Sequence, residues 1–310
     1  MLQDYPIHSE IQENIYLLRG KNASRFPQAN SILIDDELLT LIDAGTHIDH
    51  IEHALRDIGH SLLDIDQIVL THFHIDHKGH AEQIRQVSDC EVICHPLAEE
   101  GIATFEGMVD YYGIKGHKFF PEWNDLLSSF LPHIRSNYKV TGHFEDRRPI
   151  DCGSIQLMPI YTPGHTIDHT VMGIGGYDVM LLVDIDLTSF GPWYGNAVSD
   201  IQDFKKSMET IIELEPTTGI SSHLLEPVSG QLDARLNTYL DEFDQRENRI
   251  LEYIRSGKKT IQDLANKPTI YPRFPNKAYR IFEEFMIRKH IEDMERRNIL
   301  SVCDGKLSVH

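Results

Sequence analysis

The sequence predicts an α/β fold followed by a smaller helical region. Three observations carry this expectation. Through about residue 230, short apolar runs of strand character alternate with segments whose apolar residues recur at helical spacing. Several runs end on a histidine or an aspartate: Ile68-Val69-Leu70 before Thr71-His72, Val179–Val183 before Asp184, and Ile220-Ser221-Ser222 before His223. From about Gln231 the strand patterns fade and charge density rises. The expected division is a larger unit over 1–230 and a smaller one over 231–310.

In chain order, Ile15–Leu18, Ser31–Ile34 and Leu38–Ile42 alternate with polar turns and read as antiparallel strands. Asp43-Ala44-Gly45-Thr46 closes the third. His47–Ile58 has helical spacing through Ile48, Ile51 and Leu55, and His47, His50, His53 and His60 are taken as surface residues. Asp64–Leu70 is the next strand, 77–88 a helix and Glu91–Cys94 another strand; Pro96–Gly107 looks helical. Residues 108–148 form an aromatic-rich insertion that either covers a pocket or packs as a helical hairpin on the body or a second subunit. Cys152–Ile160 is a strand. Thr170–Ile174 and Tyr177–Val183 form a hairpin around Gly175-Gly176. Phe190–Gly195 is expected to be a rigid loop with Trp193 or Tyr194 as a pocket wall. A helix over Asp200–Glu213 takes Ser199 as N-cap, and Thr217–Ser222 is the last strand of the larger unit. The smaller unit reads as a long helix over Leu232–Ser256, a short helix capped by Thr260, a Pro-rich loop, a helix at 276–297 and a hairpin of Leu300–Cys303 with Lys306–Val309. Helices followed by a two-strand wing have a winged-helix-like layout.

The densest chemistry lies in Thr71-His72-Phe73-His74-Ile75-Asp76-His77. Side chains two apart on an extended chain share a face. His72, His74 and Asp76 are therefore expected to point into one pocket, with His77 joining from the following helix. Imidazole and carboxylate suit zinc, iron or manganese. The alternative is a polar loop with surface histidines, against which the clustering argues. Three more residues of ligand type, His165 on the Pro163-Gly164 turn, Asp184 and His223, each follow a strand-like run. Strand ends converge at one sheet edge, so the four segments are expected to meet.

This order, H-x-H-x-D-H, then a lone His after a Pro-Gly turn, an Asp and a late His, resembles the metallo-β-lactamase-fold superfamily of hydrolases over about residues 10–230. The resemblance implies a four-layer αββα sandwich for 1–230, the catalytic unit, and two divalent metal ions. It implies His72, His74 and His165 as ligands of the first ion, Asp76, His77 and His223 as ligands of the second, and Asp184 as the bridge. Many relatives carry Gly before the bridging aspartate, where this chain has Val183. Asp186 is the rival bridge; Asp184 is favoured as the first polar residue after the apolar run. His80 stands where relatives often have a second Gly and reads as a helix-surface residue or a donor behind the ligands. Asp43, in a D-x-G-T loop that lies near the metals in the family, is either an orienting partner for a ligand histidine or a turn residue. The smaller unit is similar to the extension of glyoxalase II-like and β-lactamase-like protein 2 type members, where it serves the substrate side or dimerisation. A homodimer is compatible with that. DNA binding follows from the winged shape alone, and shape does not fix function.

Composition narrows the class. Hydrophobic content of 41% and charged content of 25% are ordinary for a globular protein. A formal net charge of −19 argues against nucleic acid as the default partner without excluding it. No apolar run is long enough for a membrane span, and Met1–Glu10 lacks the pattern of an export signal. The four cysteines, Cys90, Cys94, Cys152 and Cys303, do not suggest a disulfide framework. A cytoplasmic location fits. The resemblance then implies a hydrolase in which a metal-bridging hydroxide attacks a small acyl substrate, a thioester, lactone or related ester, with Asp76 as the catalytic carboxylate. Zinc is the first expectation for the metal, iron or manganese the others. The rival activities are a metal-dependent phosphodiesterase or ribonuclease, and a di-iron or sulfur-dioxygenase-type oxidoreductase.

Overall fold

The computed structural model describes residues 5–310. Met1–Asp4, within the stretch read for an export signal, lie outside the described residues. Strands β1 (His8–Gln12), β2 (Ile15–Leu18), β3 (Ser31–Ile34) and β4 (Thr40–Ile42) pair in order, each antiparallel to the last. Helix α1 (Ile48–Asp57) returns the chain to β5 (Gln67–Leu70), parallel to β4. Helices α2 (Ile75–Lys78) and α3 (Ala81–Ser88) lead to β6 (Glu91–Cys94), parallel to β5. After α4 (Glu99–Ala103), α5 (Phe105–Tyr112) and α6 (Phe120–Phe130), β7 (Gly142–His143) completes a seven-stranded sheet. β3, β4 and β5 are buried along their whole length, which is why they read as continuous apolar runs rather than alternating ones.

The second sheet has six strands. β8 (Ile150–Asp151), β9 (Gln156–Tyr161), β10 (Thr170–Ile174) and β11 (Val179–Val183) form an antiparallel meander. Helix α7 (Ile201–Glu213) crosses back to β12 (Thr218–Ser221), parallel to β11, and β13 (Val228–Ser229) closes the edge. With helices on their outer faces, the two sheets make the expected αββα sandwich. The chain ends in α8 (Leu232–Arg255), α9 (Ile261–Ala265), α10 (Tyr279–Arg296) and the hairpin β14 (Leu300–Cys303) with β15 (Lys306–Val309). α9 opens on the expected Thr260, in a capping box with Asp263. Among the described residues, no helix is long and apolar enough to cross a membrane.

Several details depart from the sequence reading. The histidine motif is not one extended run: His72 lies in a bend, His74 is the N-cap of the single-turn helix α2, and Asp76 and His77 lie on that helix. Gly79 then breaks the chain before α3, so the expected helix over 77–88 is two pieces. The helical stretch over Pro96–Gly107 is likewise broken at Thr104, whose extended backbone caps α5. The cap of α7 is Asp200, which accepts from the amides of Gln202 and Asp203. Ser199 instead gives its hydroxyl to the carbonyl of His165 at 2.7 Å. His80 is buried, its ring 4.6 Å from that of His133, and its Nδ1 lies 2.5 Å from Gln83.

Candidate metal centre

The site forms at one end of both sheets, and its first loop is locked in place by backbone contacts. Beyond β4, Asp43 takes φ +56, which turns the chain across the end of β5. Its carboxylate accepts from the Thr71 amide at 2.9 Å and the Thr71 hydroxyl at 2.8 Å. The Ala44 amide donates to the His77 carbonyl, and the His80 amide to the Ala44 carbonyl, both at 2.8 Å. A Cβ on Gly45 would overlap the carbonyl of Asp76, and one on Gly79 the carbonyl of Ala44. Two glycines thus let two loops interlock, and the interlock aims Asp76 and His77.

Seven side chains converge there in two groups: His72, His74, His165 and Asp184; and Asp76, His77 and His223. Asp184 faces both. Its Oδ2 lies 3.1 Å from His165 Nε2 and 3.9 Å from His72 Nε2. Its Oδ1 lies 3.1 Å from His77 Nε2 and 3.5 Å from His223 Nε2. His223 Nε2 is also 3.7 Å from Asp76. His74 presents Nδ1, 3.0 Å from His165 Nε2. Asp186 points elsewhere, accepting from the Tyr239 hydroxyl at 3.0 Å and the Thr188 amide at 2.9 Å.

The outer ring nitrogens explain which lone pairs face inward. His77 Nδ1–H donates to Asp43 at 2.7 Å, His165 Nδ1–H to the Trp193 carbonyl at 2.8 Å, and His223 Nδ1–H to the Ser24 carbonyl at 2.7 Å. The acceptors leave the proton on Nδ1 and Nε2 free to bind. Asp43 is thus the partner of His77. Yet His72 Nε2, His77 Nε2 and Asp184 Oδ1 are buried and make no hydrogen bond. Such unpaired groups each cost ~1–3 kcal/mol, and a cation among these lone pairs removes that cost. The donor set, neutral imidazoles and carboxylates with their protons directed outward, fits divalent metal ions.

The charges agree. Burial, then neighbouring His77 and His74, hold His72 well below its usual range, and burial and His165 do the same to His74. His77 is driven well above its usual range, because Asp184 and Asp43 outweigh burial. Asp184 lies well below the carboxylate range; burial opposes this, and His77, His165 and His223 prevail. Burial raises Asp76. Two carboxylates sharing one site are thereby pushed apart.

The Metallo-beta-lactamase superfamily model matches residues 24–223, well over half of the sequence, and spans all seven converging side chains. The chain belongs to the metallo-β-lactamase superfamily. It is a hydrolase of that superfamily, with a histidine and aspartate cluster suited to divalent metal. A beta-lactamase-like protein 2 homolog of Drosophila melanogaster is 25% identical over 297 residues, 93% of this chain and 84% of that protein. A probable metallo-hydrolase of Bacillus subtilis is 27% identical over 237 residues, 70% of this chain and 72% of its own. In fold, the chain is similar to a metallo-beta-lactamase family protein of Thermus thermophilus, with a TM-score of 0.75 at 19% identity over 97% of this chain and 100% of that one.

The residue before Asp184 has an unusual backbone. Val183 has φ +54, so the backbone keeps a conformation natural to glycine while carrying a β-branched side chain. His169, which the sequence reading passed over, supports the same turn: its Nε2 accepts from the Asp184 amide at 3.2 Å, and burial takes its pKa down to about 3. No local spacing marks that contact, which joins residues 15 apart in the chain. The walls are aromatic. Tyr112, from the insertion, stacks on His74 with centroids 5.0 Å apart. Trp193 meets His74 edge-on at 5.3 Å, and its indole N–H donates to the Tyr271 hydroxyl at 2.8 Å. Tyr194 is no wall; it is fully buried against His290, its hydroxyl 2.7 Å from Nε2. The insertion therefore reaches the site and also packs on the C-terminal helices, where His117 faces Glu284 at 3.5 Å.

Proposed function

We propose that the chain is a dinuclear metal-dependent hydrolase acting on a small acyl substrate, a thioester, lactone or related ester, with zinc the first choice of metal. The observation that carries this reading is Asp184, one carboxylate with an oxygen turned to each of two ligand groups. His72, His74 and His165 would hold one ion, Asp76, His77 and His223 the second, and Asp184 both. Divalent cations held there would supply a water nucleophile at neutral pH and offset negative charge developing on the substrate oxygen. Asp76, beside His223, would accept a hydrogen bond from that water. Asp43 and the carbonyls of Trp193 and Ser24 keep the histidine protons turned away from the reaction. Tyr112 and Trp193 exclude bulk water on one side and offer flat apolar surface to an acyl group. The net charge of −19 favours a small substrate over a polyanion.

The test is metal content of chelator-free protein together with turnover of thioester, lactone and phosphodiester probes on one sample. About two ions per chain with acyl-probe hydrolysis is the expected result. Turnover confined to the phosphodiester overturns the substrate class. Two irons with oxygen uptake and no hydrolysis overturns the reaction type.

A further inference from the structure

Trp193 and the carbonyl behind His165 belong to one short loop, and that loop is held from outside the region matched by the superfamily model. Arg246, on α8, is 1% exposed. Its guanidinium donates to the carbonyls of Phe190 and Pro192 and, at 3.2 Å, to the Tyr194 hydroxyl. The same guanidinium lies over the Phe190 ring at 4.9 Å and the Tyr194 ring at 5.5 Å. Tyr194 continues to His290 on α10, and Trp193 to Tyr271. Tyr271 is fixed in turn, because Glu283 accepts the amides of Thr269, Ile270 and Tyr271. Two carbonyls that precede Trp193 in the chain, those of Phe190 and Pro192, and the hydroxyl of Tyr194 after it are thus gripped by a single planar fork. The residue so clamped gives its own carbonyl to His165 Nδ1 and its ring to His74. No other side-chain type offers this geometry: a lysine carries the charge but not the fork.

Resting on the metal-centre reading above, we propose that Arg246 is a positioning residue of the active site. It sets the 190–194 loop, and through the Trp193 carbonyl and ring it sets His165 and His74, two members of the first ligand group. The C-terminal helices are then part of the catalytic apparatus. The second group, Asp76, His77 and His223, is anchored by Asp43 and Ser24 and lies outside this chain of contacts.

The experiment compares full-length wild type, Arg246→Lys, Arg246→Met and Arg255→Met. Arg255 is the control: it is exposed on the same helix, and among the described residues no side-chain hydrogen bond ties it to 190–194 or 269–271. Metal-free protein labelled with 5-fluorotryptophan gives two fluorine signals, one from Trp123 and one from Trp193. Both Arg246 variants should shift or broaden the Trp193 signal and leave that of Trp123 in place; Arg255→Met should move neither. Titration with Co(II) should then show one of two binding steps weakened by about 10–100-fold in the Arg246 variants, the size expected on losing a group behind a ligand histidine. Folded Arg246 variants with an unmoved Trp193 signal and two wild-type binding steps overturn the proposal, whatever their melting temperature. If Arg246→Met does not fold, Arg246→Lys decides on the same two readouts. Wild type that binds no Co(II) overturns the metal-centre reading instead, and the fluorine spectra of the metal-free variants still decide the role of Arg246.

Discussion

At the residue scale, the two acidic candidates after β11 differ by what already holds them. Asp184 has a buried oxygen without a hydrogen bond, while Asp186 is occupied by Tyr239 and Thr188. Asp184→Ala should therefore lose metal and activity together, by more than the 10–100-fold typical of residues behind the ligands. Asp186→Asn should retain both ions; metal analysis and kcat/KM of the two variants decide, and the reverse pattern would move the bridge. Asp43→Asn keeps the shape but removes the charge facing His77 Nδ1, and should weaken one of the two ions about 10–100-fold in a chelator-competition titration. The converging residues themselves were legible because chemistry-bearing types closed successive apolar runs. His169 was not, since its contact with the Asp184 amide joins a turn to a strand end across the sheet, and nothing in local spacing announces a long-range hydrogen bond.

At the element scale, strands and hairpins could be read because burial on both faces leaves continuous apolar runs, and Gly175-Gly176 marks its own turn. The geometry of the motif could not. Sequence spacing suggested an extended chain, but α2 is one turn long and owes its shape to the loop beneath it rather than to its own propensity. Gly45→Ala tests that dependence. The added methyl meets the Asp76 carbonyl, so α2 must shift. The expected cost is about 2–4 kcal/mol in denaturant unfolding, with affinity for the second ion lost before the first. A variant as stable as wild type and with both ions intact would show that the interlock is not what aims Asp76 and His77.

At the scale of the whole molecule, acid should destabilise the fold through histidines buried without charge. Burial, then Arg246 and other cations, hold His290 well below its usual range. The unfolded chain, with a histidine pKa near 6.5, takes up that proton as pH falls while the folded chain does not. Stability is therefore lost below about pH 6.5, by up to ~1.4 kcal/mol per pH unit for each such histidine. His290→Gln should flatten the slope between pH 6 and 5 in urea unfolding; parallel slopes would remove His290 from the account. The same scale shows what sequence could not supply about the two outlying regions. The helices and hairpin after residue 231 were readable by period and turn residues. Their contact with the site, through Arg246 and Tyr271, depends on side chains far apart in the chain, as does the reach of Tyr112 onto His74.

The converging residues also divide by sheet. His72, His74, Asp76 and His77 follow β5 of the first, while His165, Asp184 and His223 follow strands of the second. An ion shared across that division would work as a clasp on the sandwich seam. At a free metal concentration of a hundred times Kd, each occupied site should add about 2.7 kcal/mol to unfolding. Chelation should accordingly lower the melting temperature, and hydrogen exchange should quicken first along the facing edges of the two sheets. Loss of metal would then silence the enzyme and unfasten its halves in a single event.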